Sequence, residues 1–237
     1  MAFRFVSKVD LPGVHYTFDT EGMTTLSPTP RSTLTRKKDR AATDRERLYE
    51  VLDDGLICHL GLVLNGSPVV LPTGYGRDSD TLYFHGSTGA GNLRAAATGI
   101  DVCVTVTLLD GLVYARSLNN HSMNYRSAVV HGSARLVTGE EKMHGLHVVT
   151  EHLTPGSWDH ARAVNAKELA SVSVLALDLA EASVKIRAGE PIDEPEDMDS
   201  HEIWAGVVPV QTTFGEPIPA AYMPAGAPIP PHVRARG

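Results

Sequence analysis

Long polar side chains cluster where a β-rich stretch begins, in the segment HSMNYRSAVVHG at residues 121–132. His121, Asn124 and Arg126 cannot all be buried without partners, because an unpaired charge or amide inside a protein costs several kcal/mol. Arginine is a good bidentate partner for phosphate, and an asparagine amide can meet the donor and acceptor edges of a heterocycle. The segment therefore predicts a site for a polar ligand or an interface between subunits or loops, and spacing alone does not separate the two.

The glycine-rich segment HGSTGAGN, at residues 85–92, is a second candidate site. It lies between a predicted strand and a predicted short helix, where free backbone N–H groups can bind an anion. Ser87 and Thr88 would supply hydroxyl donors, and Asn92 follows one turn into the helix. The spacing matches neither the dinucleotide fingerprint nor the phosphate-loop pattern, so a glycine-rich helix cap is the alternative.

Histidines on a later predicted helix raise the question of a metal. His144 and His147 are three residues apart, and Glu141 and Glu151 lie at helical spacing from them. The buried stripe of the same helix is apolar, and the other ligands would have to come from elsewhere, so no metal site is predicted. The chain also lacks a nucleophile signature, and no catalytic acid, base or nucleophile can be named.

The elements that must position these residues are mostly strands. Two Ser/Thr-x-x-Glu capping patterns, TDRE and TGEE, predict helices that begin near Thr43 and Thr138, and a brief alanine-rich helix follows the glycine-rich turn. The Asp110–Gly111 pair predicts a hairpin turn, and Gly132 predicts a bulge or a close backbone approach. Eight strand-like segments with only short helices between them predict a mainly β (α+β) fold built as an antiparallel barrel or sandwich. The predicted strands are LICHLGLVL, SPVVLPT, DTLYFHG, DVCVTVTLL, DGLVYARS, YRSAVVHGSARLV, SVSVLALDL and ASVKIRAG.

Composition excludes several classes of protein. The net charge is -7 and the isoelectric point is near 5.8, without a basic cluster beside an aromatic strand, so nucleic-acid binding has little support. No apolar run approaches the ~18 residues of a membrane span. Cys58 and Cys103 lie in apolar alternating stretches and are expected to be buried thiols rather than a disulfide. With no secretion signal at the N-terminus, these features predict a cytoplasmic protein.

Changes in composition suggest four segments along the chain. An N-terminal arm or extension covers residues 1–42, and the main domain covers residues 43–189. An acidic linker follows at residues 190–214 and carries the apolar island IWAGVVPV with Trp204, which is expected to dock on another part of the protein. Residues 215–237 form a proline-rich tail.

Several long segments, in the same order, resemble the flavin-nucleotide-binding branch of the pyridoxamine 5'-phosphate oxidase-like family. They are DGLICHLGLVLNGSPVVLPTGYGRDSDTLYFHGS, TVTLLDGLVYARSLNNHSMNYRSAVVHG, EHLTPGSW and ASVKIRAGEPIDEPED followed by WAGVVPV. The resemblance covers roughly residues 43–210. It implies a split β-barrel and a homodimer with FMN sites at the subunit interface. It also implies an FMN-dependent oxidoreductase of unknown substrate, with a non-catalytic flavin or haem store or sensor, or a deazaflavin-dependent reductase, as alternatives.

The resemblance also assigns residues to the cofactor. It implies that the flavin ring lies along the strand of Val70, Pro72, Thr73 and Tyr75. It places His85, Ser87 and Thr88 near the phosphate or ribityl chain with Asn124 and Arg126 close by, and it lets Trp204 pack on the flavin or brace the interface. Asn92 of the glycine-rich segment remains a further candidate for cofactor binding. If haem occupies the cleft instead, the candidate ligands are His59, His85 and His121.

The chain departs from the family pattern after Ser87 and Thr88, where relatives have a basic residue and this sequence has GAGN. Losing one charge-assisted hydrogen bond to phosphate costs roughly 1.5–3 kcal/mol, so weaker FMN binding is expected. A second departure is PGSW, which lacks an arginine before the tryptophan. Oxidation of pyridoxamine phosphate itself is disfavoured, because no cluster for the phosphate of that substrate can be located.

Overall fold

The computed structural model describes residues 9–11, 14–16, 25–26, 29–89, 91–96, 98–199 and 202–236, with side chains described from residue 25 onward except at residues 92–94. The strands are β1 Val9–Leu11, β2 Val14–Tyr16, β3 Ala41–Ala42, β4 Ile57–Leu64, β5 Ser67–Asp78, β6 Thr81–Ser87, β7 Thr98–Tyr114, β8 Ser122–Val137, β9 Val172–Asp178, β10 Glu181–Arg187 and β11 Gly206–Pro209. The α-helices are α1 Arg45–Asp54, α2 Gly91–Ala96, α3 Gly139–Leu153, α4 Ser157–His160, α5 Ala166–Ser171 and α6 Pro231–Arg234.

Six antiparallel strands close into a ring in the order β7–β4–β5–β6–β9–β8, and β8 pairs back onto β7. One edge of β8 is shared by two strands. Residues 125–131 of β8 pair with β10, whereas residues 135–137 pair with β9. The barrel therefore splits where β8 passes from one neighbour to the other, and β10 and β3 continue the sheet beyond the ring. This architecture confirms the predicted antiparallel split β-barrel.

The core lies inside the ring and is built by the period-two alternation of the strands. Alternate residues of β7, Val102, Val104 and Val106, point inward and are almost fully buried, because successive side chains of a strand face opposite sides of a sheet. Helix α1 packs its apolar face, which includes Leu48 and Leu52, against the same core.

A second layer forms outside the barrel, where α3 crosses β5, β6 and β9. The helix lies so close to β5 that a Cβ atom at Gly74 would stand 2.7 Å from Leu153 Cδ1, and one at Gly76 would stand 2.6 Å from the Val148 carbonyl oxygen. Val149 packs in this layer with Tyr83 of β6. The two glycines of β5 therefore allow the helix to cover this part of the outer surface.

Two local predictions were wrong. Asp110 and Gly111 do not form a hairpin turn, since β7 runs through them with an irregular register between Leu109 and Gly111. The two predicted capping patterns do not cap their helices either, because neither Asp44 before α1 nor Thr138 before α3 makes a side-chain cap bond. A capping box forms instead at α5, between Asn165 and Glu168.

At Gly132 a bulge or a close backbone approach was expected. The strand register there is regular, so no bulge forms, but a Cβ atom at Gly132 would lie 3.0 Å from Leu177, as expected for a close approach.

The C-terminal segment leaves the barrel and then returns to it. Strand β11 pairs with β7, and the Val210 N–H donates to the Asp110 carbonyl at 3.0 Å. Helix α6 then lies beside α4, with the His232 and His160 rings 4.7 Å apart. Arg236 donates to the Leu153 carbonyl and stacks on the Phe214 ring. We call residues 211–230, between the two anchors, the arm. Within the N-terminal extension predicted at residues 1–42, residues 1–8, 12–13, 17–24 and 27–28 lie outside the described residues.

Candidate functional site

The four residues of β5 that were expected to line one flat ring face two different sides of the sheet. Val70 and Pro72 are exposed on the outside of the barrel, whereas Thr73 and Tyr75 have the opposite parity. Tyr75 is fully buried in the core. A ring that lies along this strand on the outside of the barrel would therefore meet the side chains of Val70 and Pro72 but not that of Tyr75.

Tyr75 has a structural contact of its own. Its hydroxyl donates to the Leu52 carbonyl at 2.6 Å, and its ring lies 5.0 Å from the ring of His152. Burial raises the pKa of the phenol, with smaller contributions from Cys58, Asp53 and Asp54. The side chain thus stays neutral and ties β5 to α1.

The exposed side of β4, β5 and β7 forms a continuous surface beside Val70 and Pro72. His59 of β4 lies opposite Pro72 on one side and Thr105 of β7 on the other. In the next row Gly61 lies between Val70 and Cys103. We call this surface the outer face; it consists of Ile57, His59, Gly61, Val63, Val70, Pro72, Cys103 and Thr105. It is mainly apolar, and Gly61 lets a flat molecule approach the backbone.

His85 lies on the same side of the sheet as the outer face, next to the layer covered by α3. It pairs with Val174 of β9 and has the parity of Tyr83, whose side chain packs under α3. The Nδ1 atom of His85 is buried and has no hydrogen-bond partner among the described residues. Burial lowers the pKa of this imidazole, so it is neutral near pH 7. An uncommitted buried nitrogen of this kind is available to a polar ligand.

The predicted anion site is largely occupied by bonds within the chain. The Ser87 Oγ accepts from the Gly89 N–H at 3.1 Å. Both the backbone N–H and the hydroxyl of Thr88 donate to the Ser171 carbonyl, at 3.0 and 3.2 Å. Asn92 belongs to α2, and its side chain lies outside the described residues. Ser87 has the parity of His85 and thus faces the same side of β6.

Asn124 is buried within the protein instead of facing a ligand. Its Oδ1 accepts from the Arg187 guanidinium, and its Nδ2 donates to the Gly189 carbonyl at 3.0 Å. Arg187 is buried as well, and desolvation lowers its pKa. The amide therefore holds the end of β10 against β8.

Arg126 points toward the barrel interior and binds two carboxylates. Its Nε and Nη2 donate to Asp110 at 3.0–3.3 Å, and its Nη1 donates to Asp54 at the end of α1. The guanidinium thus joins α1 and β7 through β8. Asn124 and Arg126, at the start of β8, therefore have partners within the chain. The sequence carries no local signal that Arg187 and Asp54 are those partners.

His121 and Trp204 meet at the far end of β7 through the Tyr114 ring. The centroid of that ring is 5.8 Å from His121 and 5.9 Å from Trp204. The Nδ1 of His121 accepts a hydrogen bond of 3.0 Å from the Ala115 N–H. The hydrogen of the neutral ring is therefore on Nε2, which disfavours His121 as a metal ligand through that atom.

The histidines of α3 are committed to separate partners. His144 bonds to Asp78 at 2.8 Å, and Glu151 accepts from the Gly156 and Trp158 N–H groups. Among the described residues no three His, Cys, Asp or Glu side chains are grouped as a metal site would need. Two cavities of about 190 and 260 Å³ lie elsewhere, beside β10 and beneath Phe214, and no predicted cofactor residue lines either.

The architecture and the outer face together define a split-barrel protein whose candidate site is an open sheet surface. The family model described as "Pyridoxamine 5'-phosphate oxidase" matches residues 44–186. The chain belongs to this family, which confirms the resemblance noted in the sequence. None of the helices in the described part of the chain is long and apolar enough to cross a membrane.

Two solved structures are similar over most of the chain. The FAD and Heme binding protein from Mycobacterium smegmatis is 41% identical with a TM-score of 0.81, and the match covers 83% of this chain and 97% of that one. The flavocytochrome Anf3 from Azotobacter vinelandii is 36% identical with a TM-score of 0.83, covering 90% of this chain and 99% of that one. None of the curated proteins matches.

Proposed function

We propose that this chain binds a flavin nucleotide on the outer face and acts as a flavin-dependent oxidoreductase. The observation that carries the proposal is the 41% identity, over 83% of the chain, to a protein described as binding FAD and haem. That description favours FAD over the FMN expected from the sequence. The outer face fits the ring of either nucleotide, because it offers apolar side chains and an accessible backbone at Gly61. His85, whose buried Nδ1 has no partner among the described residues, lies on the same side of the sheet.

In this proposal the flavin supplies the electron chemistry and the protein supplies position and surroundings. Val70 and Pro72 would contact the ring, and His59, which is paired with Pro72, would be beside it. Their exposed apolar surface excludes water from one side of the ring. Substrate and electron donor are not assigned, and no acid or base is named.

The first experiment is identification of the bound molecule. We expect the purified protein to be yellow, with flavin absorption bands, and to release FAD on denaturation. Mass spectrometry of the released compound distinguishes FAD from FMN and from a deazaflavin. A colourless protein that takes up neither FAD nor FMN would refute the proposal.

A pair of matched variants tests the position of the site. Val70 lies on the outer face and is 64% exposed, whereas Leu136 is 49% exposed on β8, outside the outer face. Val70→Asp should lower flavin occupancy at least tenfold, because a charge faces the ring, whereas Leu136→Asp should retain the flavin. Both variants should keep the wild-type melting temperature without cofactor, since neither side chain is in the core. Equal flavin occupancy in the two variants would contradict a contact between Val70 and the flavin ring.

Catalysis and passive binding are separated by turnover. An oxidoreductase should oxidise NADH or NADPH in the presence of an electron acceptor, and the flavin spectrum should bleach when the acceptor is removed. If the bound flavin is reduced by dithionite but by no biological donor, the protein stores or senses the cofactor.

Haem is a second candidate ligand, because both similar proteins are described as binding haem or as a flavocytochrome. His59 is the ligand that we propose. It is exposed on the outer face and makes no hydrogen bond to any described residue, whereas the Nδ1 of His121 accepts from the Ala115 N–H. Haem added to the protein should give a shifted Soret band that His59→Ala removes and His121→Ala retains. Loss of the band in His121→Ala alone would reverse this assignment.

A further inference from the structure

The C-terminal part of the chain closes over the end of α3 and leaves a cavity of about 260 Å³ between them. The turn after the helix lines it with Thr154, Pro155 and Ser157, and the arm lines it with Phe214 and Pro217. Helix α6 and the residues after it complete the lining. The cavity therefore exists because the arm brings the C-terminal helix back to the body of the protein.

Two hydrogen-bond donors reach this cavity from the C-terminal end, Arg236 and His232. The Arg236 guanidinium donates to the Leu153 carbonyl, and its other N–H groups have no partner among the described residues. Its Cζ lies 4.4 Å from the centroid of the Phe214 ring, and this stacking fixes the plane of the guanidinium. His232 makes no hydrogen bond to the described part of the chain either. Both side chains thus keep donors for a ligand.

The charge of Arg236 is not balanced by an acidic side chain in the described part of the chain. Glu151, which interacts electrostatically with His232, is held by other groups. Its carboxylate accepts from the Gly156 N–H at 2.7 Å and from the Trp158 N–H at 2.9 Å, and these bonds lower the pKa of Glu151. The carboxylate makes no ion pair with Arg236, so the guanidinium carries its full positive charge into the cavity.

The rest of the lining is mainly apolar. Pro155, Pro217 and Val233 contribute aliphatic surface, and Phe214 contributes an aromatic ring. A cavity of about 150 Å³ in another protein is large enough to bind benzene. The larger volume here has room for a six-membered ring with one small substituent. Apolar walls beside a guanidinium and an imidazole suit a ligand with an apolar ring and one negative charge.

We propose that this cavity binds a small aromatic monocarboxylate. The ring of the ligand lies against Pro217 and Val233, and its carboxylate accepts charge-assisted hydrogen bonds from Arg236 and a further bond from His232. A neutral ligand would leave the guanidinium without a counter-charge. The proposal does not rest on flavin binding, because none of the residues that line the cavity belongs to the outer face.

Benzoate is the probe for this site. Calorimetric titration of the whole chain at pH 7 should show one saturable site with a dissociation constant of about 1 mM or below. Benzamide has nearly the same shape without the charge, and acetate has the charge without the ring, so each should bind at least about tenfold more weakly. Titration without saturation by benzoate, or equal affinity for benzamide, would overturn the proposal.

Two arginines at the same end of the chain provide matched variants. Arg236→Met keeps a long apolar side chain over Phe214 but removes the charge, and it should weaken benzoate binding at least about tenfold. Arg234→Met is the control, because Arg234 is exposed, donates to the Ile229 carbonyl at 3.4 Å and does not line the cavity. It should bind benzoate as wild type does. Equal weakening in both variants would attribute the loss to a loosened C-terminal helix and overturn the assignment of Arg236.

Methyl NMR of the wild-type chain locates the probe without any substitution. The Val233 methyl signals should shift as benzoate saturates the site, whereas those of Val63 and Val70 on the outer face should not. Shifts confined to the outer face would overturn the proposal. The titration is repeated with flavin-loaded protein, in which the affinity for benzoate should be unchanged. Displacement of benzoate by flavin would overturn a separate site, whereas a protein that binds benzoate but takes up no flavin would refute only the proposed flavin function.

Discussion

The Tyr75 hydroxyl donates a 2.6 Å hydrogen bond to the Leu52 carbonyl, and both residues are fully buried. Leu52 lies in the last turn of α1, where carbonyl groups lack partners within the helix. The bond therefore satisfies a helix-end carbonyl inside the core. It also gives the inward-facing Tyr75 a polar partner in the core, while Val70 and Pro72 of the same strand face outward.

Removing this hydroxyl should destabilise the protein. Tyr75→Phe leaves the Leu52 carbonyl buried without a partner and should cost about 1–3 kcal/mol in urea unfolding. Tyr49→Phe is the control, because the Tyr49 hydroxyl bonds to the exposed carboxylate of Asp80 and should contribute much less. Equal losses in the two variants would contradict a special role for the buried bond.

We expect the main role of Arg126 to be in the stability of the fold rather than in ligand binding. Arg126→Ala removes the partner of the half-buried Asp110 and should cost about 2–3 kcal/mol of unfolding free energy. Arg162→Ala, which breaks an exposed pair with Glu168, should cost little. If Arg126→Ala unfolds normally but loses the flavin, the arginine binds phosphate and its internal bonds are secondary.

The contact between α3 and β5 should tolerate no added methyl group at Gly76. A Cβ there would be 2.6 Å from the Val148 carbonyl oxygen, which belongs to the helix backbone and cannot turn aside. Gly76→Ala should therefore lower the unfolding free energy by at least about 1–3 kcal/mol. Gly91→Ala meets no atom within 4 Å and should show no loss. Thermal unfolding of both variants provides the measurement.

Glu181 should make the fold sensitive to acid. Hydrogen bonds from Arg31 and then Thr29 lower the pKa of this carboxyl to about 2, from 4.5 in the unfolded chain. A lowered folded-state pKa stabilises the protein above the unfolded value, and that stability is lost as the pH falls from 4.5 to about 2. The melting temperature of wild type should exceed that of Glu181→Gln at pH 6, and the gap should close by pH 2. A difference in melting temperature that grows on acidification would contradict a lowered pKa of Glu181 in the folded protein.

Most of the barrel was predictable because its signals are local. The alternation in DVCVTVT puts Val102, Val104 and Val106 on one face of a strand, and that face is buried in the core. The Asp110–Gly111 pair misled because its sequence resembles a turn, while the aspartate is held in a continuous strand by Arg126, sixteen residues away. The Asn165 capping box was missed because no apolar run follows it to mark a helix.

The candidate site was less predictable, for a physical reason. Alternation could have separated Val70 and Pro72 from Tyr75, and that signal was available in the sequence. The partners of Asn124 and Arg126 could not be predicted from the sequence. Arg187, the partner of Asn124, is 63 residues away along the chain, and Asp54, which binds Arg126, is 72 residues away. Polar residues at a strand end look alike whether they hold a ligand or one another, and only tertiary contacts distinguish the two.

The ring closes through the pairing of β6 with β9. During synthesis on the ribosome, one edge of β6 therefore stays unpaired until β9 has been made. About 85 residues separate Ser87 at the end of β6 from Val172 at the start of β9. At a synthesis rate of about 5–20 residues per second, this edge of β6 remains unpaired for on the order of 10 s. That edge, TLYFHGS, is rich in residues that favour intermolecular strand pairing. Nascent chains are therefore most exposed to aggregation in this interval, and fragments that stop before β9 should require a chaperone to remain dispersed.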